Sequence, residues 1–243
     1  MSKEIPWFKL LKETFQFFKD FNLHFALFAG ALFLLAIPGQ WQLLETDWMT
    51  LQPLQLWIWI SEILLFFAGS YFVFVAFVLW IKNRVAHAPP TDFMSFFKDS
   101  LRLMIPLGVL SMRGAVLSLF GIFALILPGI YFSCKYELAS YCVILEGWDD
   151  RFSPITRAEQ LIAKYRWTFG ALAGIMFLDW MSTFIIELFI KTMEIQTDIS
   201  IKLGIAAIET ALALFFDVYL ALTVLFILKK TPPPDGKNLE PQR

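Results

Sequence analysis

Apolar residues in this chain come in long continuous runs, separated by short segments that are rich in charge. A helix of about 20 apolar residues crosses the roughly 30 Å hydrocarbon core of a membrane. The runs do not alternate apolar with polar positions, which disfavours membrane strands. The pattern predicts an all-α protein, a polytopic bundle of six membrane-spanning helices at residues 21–37, 56–81, 103–127, 130–145, 167–190 and 204–228.

Two of the predicted spans end at a Pro-Gly pair, which is typical of a helix end. The first span ends at Pro38-Gly39 and the third at Pro128-Gly129, where a tight reversal is expected to lead into the fourth. Residues 1–230 are therefore predicted to form a single integral membrane domain. Residues 231–243 have no apolar face and are predicted to be a disordered cytoplasmic tail.

Short amphipathic helices are predicted on the cytoplasmic side before each odd-numbered span, at residues 6–21, 91–104 and 153–167. In the first, Phe8 and Phe15 are assigned to the apolar face. In the third, Ser153 and Pro154 are a typical helix start. Two interpretations stay open: three repeated helix-plus-hairpin units, or simply helices that enter a membrane at a shallow angle.

Composition supports the membrane class, because 58% of the residues are hydrophobic and only 17% charged. In soluble domains about 45–50% of the residues are hydrophobic and about 25% are charged. A net charge of −1 gives no basic field for nucleic acid. Cys134 and Cys142 are eight positions apart on one helix. That spacing rises about 12 Å, beyond the roughly 7 Å limit of a disulfide, so two buried free thiols are expected.

The basic residues are sorted between the segments that separate the runs. Of 20 Lys and Arg residues, 16 fall in segments on one side of the predicted bundle, while Lys191 and Lys202 fall on the other. The last two, Arg113 and Lys135, lie inside spans. The positive-inside rule then predicts a multi-pass protein of the cell inner membrane with both termini in the cytoplasm. Anionic lipids at the cytoplasmic face are the expected partners.

Residues 126–170 contain a distinctive sequence, ILPGIYFSCKYELASYCVILEGWDDRFSPITRAEQLIAKYRWTFG. Its Pro128, Gly129 and Tyr131, then Glu146 at a span end and Arg157 in an amphipathic segment, resemble a six-span bacterial membrane protein family. That family includes the membrane domain attached to some glycerophosphodiester phosphodiesterases. The resemblance implies a membrane fold. It implies no phosphodiesterase activity, because the chemistry of those enzymes resides in a separate soluble domain.

Eight ionisable residues fall inside the predicted spans, where each charge facing lipid would cost roughly 2.5–3.5 kcal/mol. One hypothesis is an ion-pair network in which Arg113 bridges two aspartates and Lys135 pairs with a span glutamate. The other is an acidic vestibule leading to a mid-membrane Arg–Asp site. The eight residues are Glu62, Arg113, Lys135, Glu137, Asp179, Glu187, Glu209 and Asp217.

The sequence contains no H-E-x-x-H, G-x-S-x-G or P-loop motif, and neither histidine has metal-ligand neighbours at helical spacing. We therefore expect no enzyme, cofactor or metal site, and no protein partner follows from the pattern. The predicted function is an accessory or organising component of the envelope. One alternative is a small transporter or ion-coupled carrier that uses Arg113, Asp179 and Asp217. Another is a lipid-modifying enzyme that uses the intramembrane carboxylates.

Overall fold

The computed structural model describes residues 5–19, 23–45, 53–87, 93–124, 126–147, 153–165, 170, 173–175, 177 and 199–231. All regular structure in these ranges is helical, so the all-α prediction is confirmed for them. The helices described over their full length are α1 (Trp7–Lys19), α2 (Leu23–Glu45), α3 (Pro53–Val85), α4 (Phe93–Ala124), α5 (Ile126–Glu146), α6 (Pro154–Lys164) and α7 (Ile199–Lys230).

Three described helices are long and apolar enough to cross a membrane. The qualifying segments are Ala68–Val85 in α3, Met94–Gly121 in α4 and Leu203–Lys230 in α7, and Phe25–Leu35 is a shorter apolar stretch in α2. These helices confirm that the chain is a membrane protein by length and composition. The predicted span at 167–190 lies almost wholly outside the described residues.

Helices α2 and α3 pack antiparallel through aromatic side chains. The rings of Phe28 and Phe77, both fully buried, lie 5.6 Å apart. Further along, Leu35 packs over Gly69, so residue numbers rise on one helix as they fall on the other. The pair buries its aromatic rings toward the end of the bundle where α3 finishes.

Helices α4 and α5 form a closely packed antiparallel hairpin along a row of small residues. A Cβ atom added to Gly121 would lie 2.7 Å from the Cα of Gly129. About one helix turn away, the Ser133 hydroxyl donates to the Ser118 hydroxyl over 2.9 Å. Small residues let membrane helices approach closely, because lipid-embedded helices associate through packing and interhelical hydrogen bonds.

The Pro-Gly pairs do not end helices, contrary to the sequence prediction. Pro128 and Gly129 lie in the first turn of α5, which begins at Ile126. Proline is accepted there because the first turn leaves its N–H groups without intrahelical partners. Helix α2 likewise continues through Pro38 and Gly39 to Glu45. Membrane helices tolerate an internal proline when neighbouring groups satisfy the freed carbonyl.

Helices α3, α5 and α7 finish at one end of the bundle, which we call the basal end. Lys82 near the end of α3 lies within electrostatic reach of Glu146, the last residue of α5. A shared hydrogen-bonding partner, Arg157, joins Glu146 to Thr231 after α7. The buried core of the described chain lies mainly in the basal halves of these helices, at residues 73–81, 138–145 and 214–228.

The predicted amphipathic segments have three different structures. The first is the separate helix α1, but Phe8 and Phe15 are 89% and 55% exposed, while Leu10 and Phe17 form its buried face. Both phenylalanines were assigned to the apolar face, and the structure leaves that part of the face outside the protein core, because hydrophobicity does not distinguish burial in protein from exposure to lipid.

The second segment is continuous with α4 from Phe93 onward and is not a separate helix. The third is α6, with Ser153 at its N-cap and Pro154 in its first turn, as predicted. Cys134 and Cys142 are both buried and free, which also confirms the sequence expectation.

Candidate functional site

The end of α5 is shaped by a glycine in the left-handed region. Gly147 has φ 92°, and its N–H donates to the carbonyl of Val143 over 2.9 Å. Glycine adopts this conformation without the steric penalty that a Cβ atom would bring. The turn ends the helix immediately after Glu146, so that this carboxylate stands at the basal end.

Arg157 of α6 meets this carboxylate in a two-bond ion pair. Its Nε donates to Glu146 Oε2 over 3.1 Å, and its Nη2 donates to Glu146 Oε1 over 2.7 Å. The exposed fraction of the side chain is 1% for Arg157 and 12% for Glu146. Bidentate pairs of this kind combine two charge-assisted hydrogen bonds with fixed geometry.

The same guanidinium binds the residue that follows α7. Nη2 of Arg157 also donates to the carbonyl oxygen of Thr231. Lys164 Nζ donates to the Thr231 hydroxyl over 3.1 Å, and the Tyr165 hydroxyl hydrogen-bonds it over 3.2 Å. We call Glu146, Arg157, Lys164, Tyr165 and Thr231 the basal clasp, because through them α6 joins the ends of α5 and α7.

The buried side of α6 explains why Arg157 enters the protein. Ala158 is fully buried and Leu161 is 2% exposed, and with Arg157 they occupy neighbouring positions on one helix face. This face packs on α5. The small Ala158 side chain permits a close approach of the two helices, and the approach removes Arg157 from solvent.

Lys135 has a partner different from the one predicted. Its Nζ lies 2.5 Å from Oε1 of Glu159, which is on α6 and outside the predicted spans. The reason is that α6 folds back along α5, which brings Glu159 to the helix turns that precede Glu146. The pair is a partly exposed neighbour of the basal clasp, with 12% of the Lys135 side chain and 51% of Glu159 exposed.

The other predicted intramembrane residues lie on three different helices where the structure describes their side chains. Arg113 is exposed on α4, which packs mainly on α3 and α5. Glu137 is exposed on α5, whereas Glu209 and Asp217 are half-buried on α7. The predicted positions outside the described structure are Asp179, Glu187 and the side chain of Glu62.

Comparison with family models, with curated proteins and with solved structures finds no match to this chain. The resemblance seen in the sequence therefore stays a prediction. Two of the residues that carry it, Glu146 and Arg157, are the ion pair of the basal clasp. Of the others, Gly129 makes the close contact with Gly121, while Tyr131 is 39% exposed.

Sequence reasoning did not predict the pairing that forms the clasp. It placed Arg157 in an amphipathic segment and Glu146 at the end of a span. The available signal was the recurrence of both residues in one motif. Among the described residues, no group of three or more His, Cys, Asp or Glu side chains could hold a metal ion.

Proposed function

We propose that the chain is a six-span integral protein of a bacterial cytoplasmic membrane that acts as a non-catalytic accessory or organising component of the envelope. The observation that carries this proposal is the basal clasp. Its most buried polar residue, Arg157, is directed at a carboxylate and a backbone carbonyl of its own chain. Polar groups paired within one chain in this way hold its helices in register.

The distribution of charge at the basal end supports a cytoplasmic position for that end. The final turns of α3 and α7 carry Lys82, Arg84, Lys229 and Lys230. Lys98 and Arg102, near the start of α4, are exposed. Cationic side chains concentrated at one end of apolar helices favour the cytoplasmic side and interact with anionic lipid headgroups.

A small ion-coupled carrier is the second candidate, and one observation favours it. Glu209 and Asp217 are half-buried in α7, one of the most apolar helices. Carboxylates inside a membrane helix are expensive, and they are common along proton and ion pathways.

A reconstitution experiment separates the two candidates. Purified protein in proteoliposomes is tested for flux of protons, alkali cations and a panel of small organic solutes, and the phospholipids are analysed for chemical change. The accessory role predicts no protein-dependent flux and unaltered lipids.

Flux that disappears in Asp217→Asn, and persists in the surface variant Glu13→Gln, would overturn the accessory role in favour of the carrier. Glu13 is a suitable control because it lies on α1 in a surface pair with Lys9. Protein-dependent conversion of a lipid would point instead to an enzyme.

A further inference from the structure

Helix α1 displays aromatic and basic side chains together on its outer side. Phe8 and Phe15 are exposed, and so are Lys12 and Lys19. The successive spacings of four, three and four positions place all four side chains along one line of the helix. We call Phe8, Lys12, Phe15 and Lys19 the α1 stripe.

The opposite side of α1 is held by the bundle, so the direction of the stripe is fixed. Leu10 and Phe17 are 2% and 7% exposed, and the buried hydroxyl of Thr14 donates to the Leu10 carbonyl over 2.9 Å. The guanidinium of Arg84 on α3 lies 4.8 Å from the centre of the Phe17 ring. Within the part of the chain that the structure describes, the stripe therefore lies on the side of α1 opposite its buried face.

Helix α1 crosses α7 at a steep angle. Trp7 lies against Tyr219 and Phe18 against Phe215, with ring centres 6.4 Å and 6.0 Å apart. The two α1 residues are separated by about 16 Å along their helix, but their partners by only about 6 Å along α7. If α7 spans the membrane, α1 lies close to the membrane plane.

The level of this crossing coincides with a change in the surface of α7. Before the crossing, Ile208 is 57% exposed, whereas Leu214 and Val218 are 4% and 0% exposed. The exposed apolar segment of a membrane-spanning α7 faces lipid, whereas its buried segment faces the helices packed against it. The Phe15 ring, 5.4 Å from Phe215, extends that apolar surface onto α1.

We propose that α1 is an in-plane anchor for an anionic bilayer surface, with Phe8 and Phe15 in the acyl chains and Lys12 and Lys19 at the lipid phosphates. Lysine stems lie along apolar surface while their ammonium groups reach the headgroups, so both residue types fit one stripe. On α6, by contrast, Ala158 and Leu161 are buried in the side that packs on α5. The inference rests on the proposed membrane position and deepens it by naming the element that contacts lipid.

Spin labels test this anchor in the full chain. Single cysteines at positions 8 and 15 are labelled in a Cys134→Ala, Cys142→Ala background and reconstituted into vesicles of phosphatidylcholine with phosphatidylglycerol. Labels at Lys9 and Gln16, on the adjoining side of α1, are the matched controls. We expect oxygen to collide with labels 8 and 15 more often than a water-soluble nickel complex does, and the reverse for labels 9 and 16.

Two results would overturn the anchor. Nickel access at positions 8 and 15 equal to that at 9 and 16 would place the stripe in water. Immobile labels that neither reagent reaches would show that protein covers it. A label at Ile208 tests the proposed membrane position of α7 independently of the anchor. Nickel access at Ile208 would refute that membrane position. Oxygen access at Ile208 together with a water-exposed stripe would refute the anchor alone.

A second set of variants tests whether the contact of α1 with the membrane depends on anionic lipid. In the pair Lys12→Gln with Lys19→Gln, the oxygen-to-nickel preference at position 8 should be lost, as it should in phosphatidylcholine alone. Lys9→Gln, which removes an equally exposed charge from outside the stripe, should keep the preference. If the preference survives the double substitution, the proposed contact of these lysines with lipid phosphate is wrong.

Discussion

Arg157 carries a full positive charge in a side chain that is 1% exposed. Removing such an ion from water costs several kcal/mol, and only good geometry offsets that penalty. Here two bonds to Glu146 and one to the Thr231 carbonyl supply the geometry. A residue in this position is sensitive to substitution, because its one guanidinium bonds both the Glu146 carboxylate and the Thr231 carbonyl.

We predict that Arg157→Leu lowers the free energy of unfolding by about 3–5 kcal/mol, since it leaves Glu146 buried without its cation. Denaturant titration in detergent micelles measures the change. Lys9→Leu is the control, because the Lys9–Glu13 pair is exposed and such pairs contribute about 0–1 kcal/mol.

The double variant Arg157→Leu with Glu146→Leu removes both charges and should be more stable than Arg157→Leu alone. Equal or lower stability of the double variant would mean that the two side chains do not form the energetic unit described here.

Gly147 gives a second prediction at this scale. An alanine there must hold φ near 92°, at a cost of roughly 1–2 kcal/mol. Gly204→Ala is the matched control, since it lies inside α7 with open space around its Cβ position and should be neutral or slightly stabilising. Thermal unfolding in the same detergent distinguishes the two, and equal melting temperatures would contradict the conformational argument.

Sequence periodicity could place Arg157 on a helix face but could not predict its burial. Burial depends on α5 covering that face and on the end of α7 lying beside it, and the second contact joins residues 74 positions apart. Lys135 was misassigned for the same reason, because its partner Glu159 lies 24 positions away on another helix. Cys134 and Cys142 were predictable because helix geometry alone excludes their pairing.

Among the helices, the α4–α5 hairpin has the least tolerance for added volume. The Cβ position of Gly121 is 2.7 Å from backbone atoms of Gly129, which cannot rotate away. Gly114 makes a similar approach, 2.7 Å from the Cβ of Tyr136. With Ser118 between them, the two glycines form the small-residue row on which the hairpin depends.

Gly121→Ala should therefore destabilise the protein by about 1–3 kcal/mol, the usual effect of forcing extra atoms into a packed contact. Gly108→Ala, in the same helix but with nothing within 4 Å of its Cβ position, should be neutral or stabilising. Unfolding curves of both variants in one detergent provide the measurement. A Gly121→Ala variant as stable as Gly108→Ala would show that the helices can separate without penalty.

The apolar runs predicted which segments are helical, but they did not predict where each helix begins and ends. Helix α4 begins at Phe93, ten positions before the predicted span at 103, because backbone hydrogen bonding continues where hydropathy falls. The Pro-Gly pairs were misread for a related reason. Pro128 lies in a first turn, where proline is accepted, whereas Pro38 lies inside a helix, which a membrane helix tolerates when neighbouring groups satisfy the freed carbonyl. Neither circumstance can be recognised from the Pro-Gly pair alone.

For the whole molecule, the differing structures of the three amphipathic segments argue against three equivalent repeats. Helix α1 is separate and exposes aromatic side chains, the second segment is part of α4, and α6 is clasped to α5. The alternative interpretation, helices that enter a membrane at a shallow angle, needs no symmetry and suits α1. The charge pattern that predicted the topology is independent of the repeat.

The topology gives a prediction that cysteine labelling can check. A membrane-impermeant maleimide should label Gln160→Cys and Lys229→Cys, both exposed at the basal end, only from the cytoplasmic side. Leu54→Cys, 72% exposed at the start of α3, should react only from the outside. Labelling of Leu54→Cys and Lys229→Cys from one and the same side would refute the proposed orientation of α3 and α7.

The basal clasp also bears on the order in which the chain is made. Arg157 and Glu146 leave the ribosome within 11 residues of each other, whereas Thr231 follows Arg157 only after 74 more. Until α7 has been synthesised and inserted, the Arg157 guanidinium keeps an N–H donor that water can reach. Helix α6 is then bonded to α5 alone. The clasp therefore closes last during biogenesis, and a nascent chain interrupted before Thr231 would present an open basal end to the quality-control machinery of the membrane.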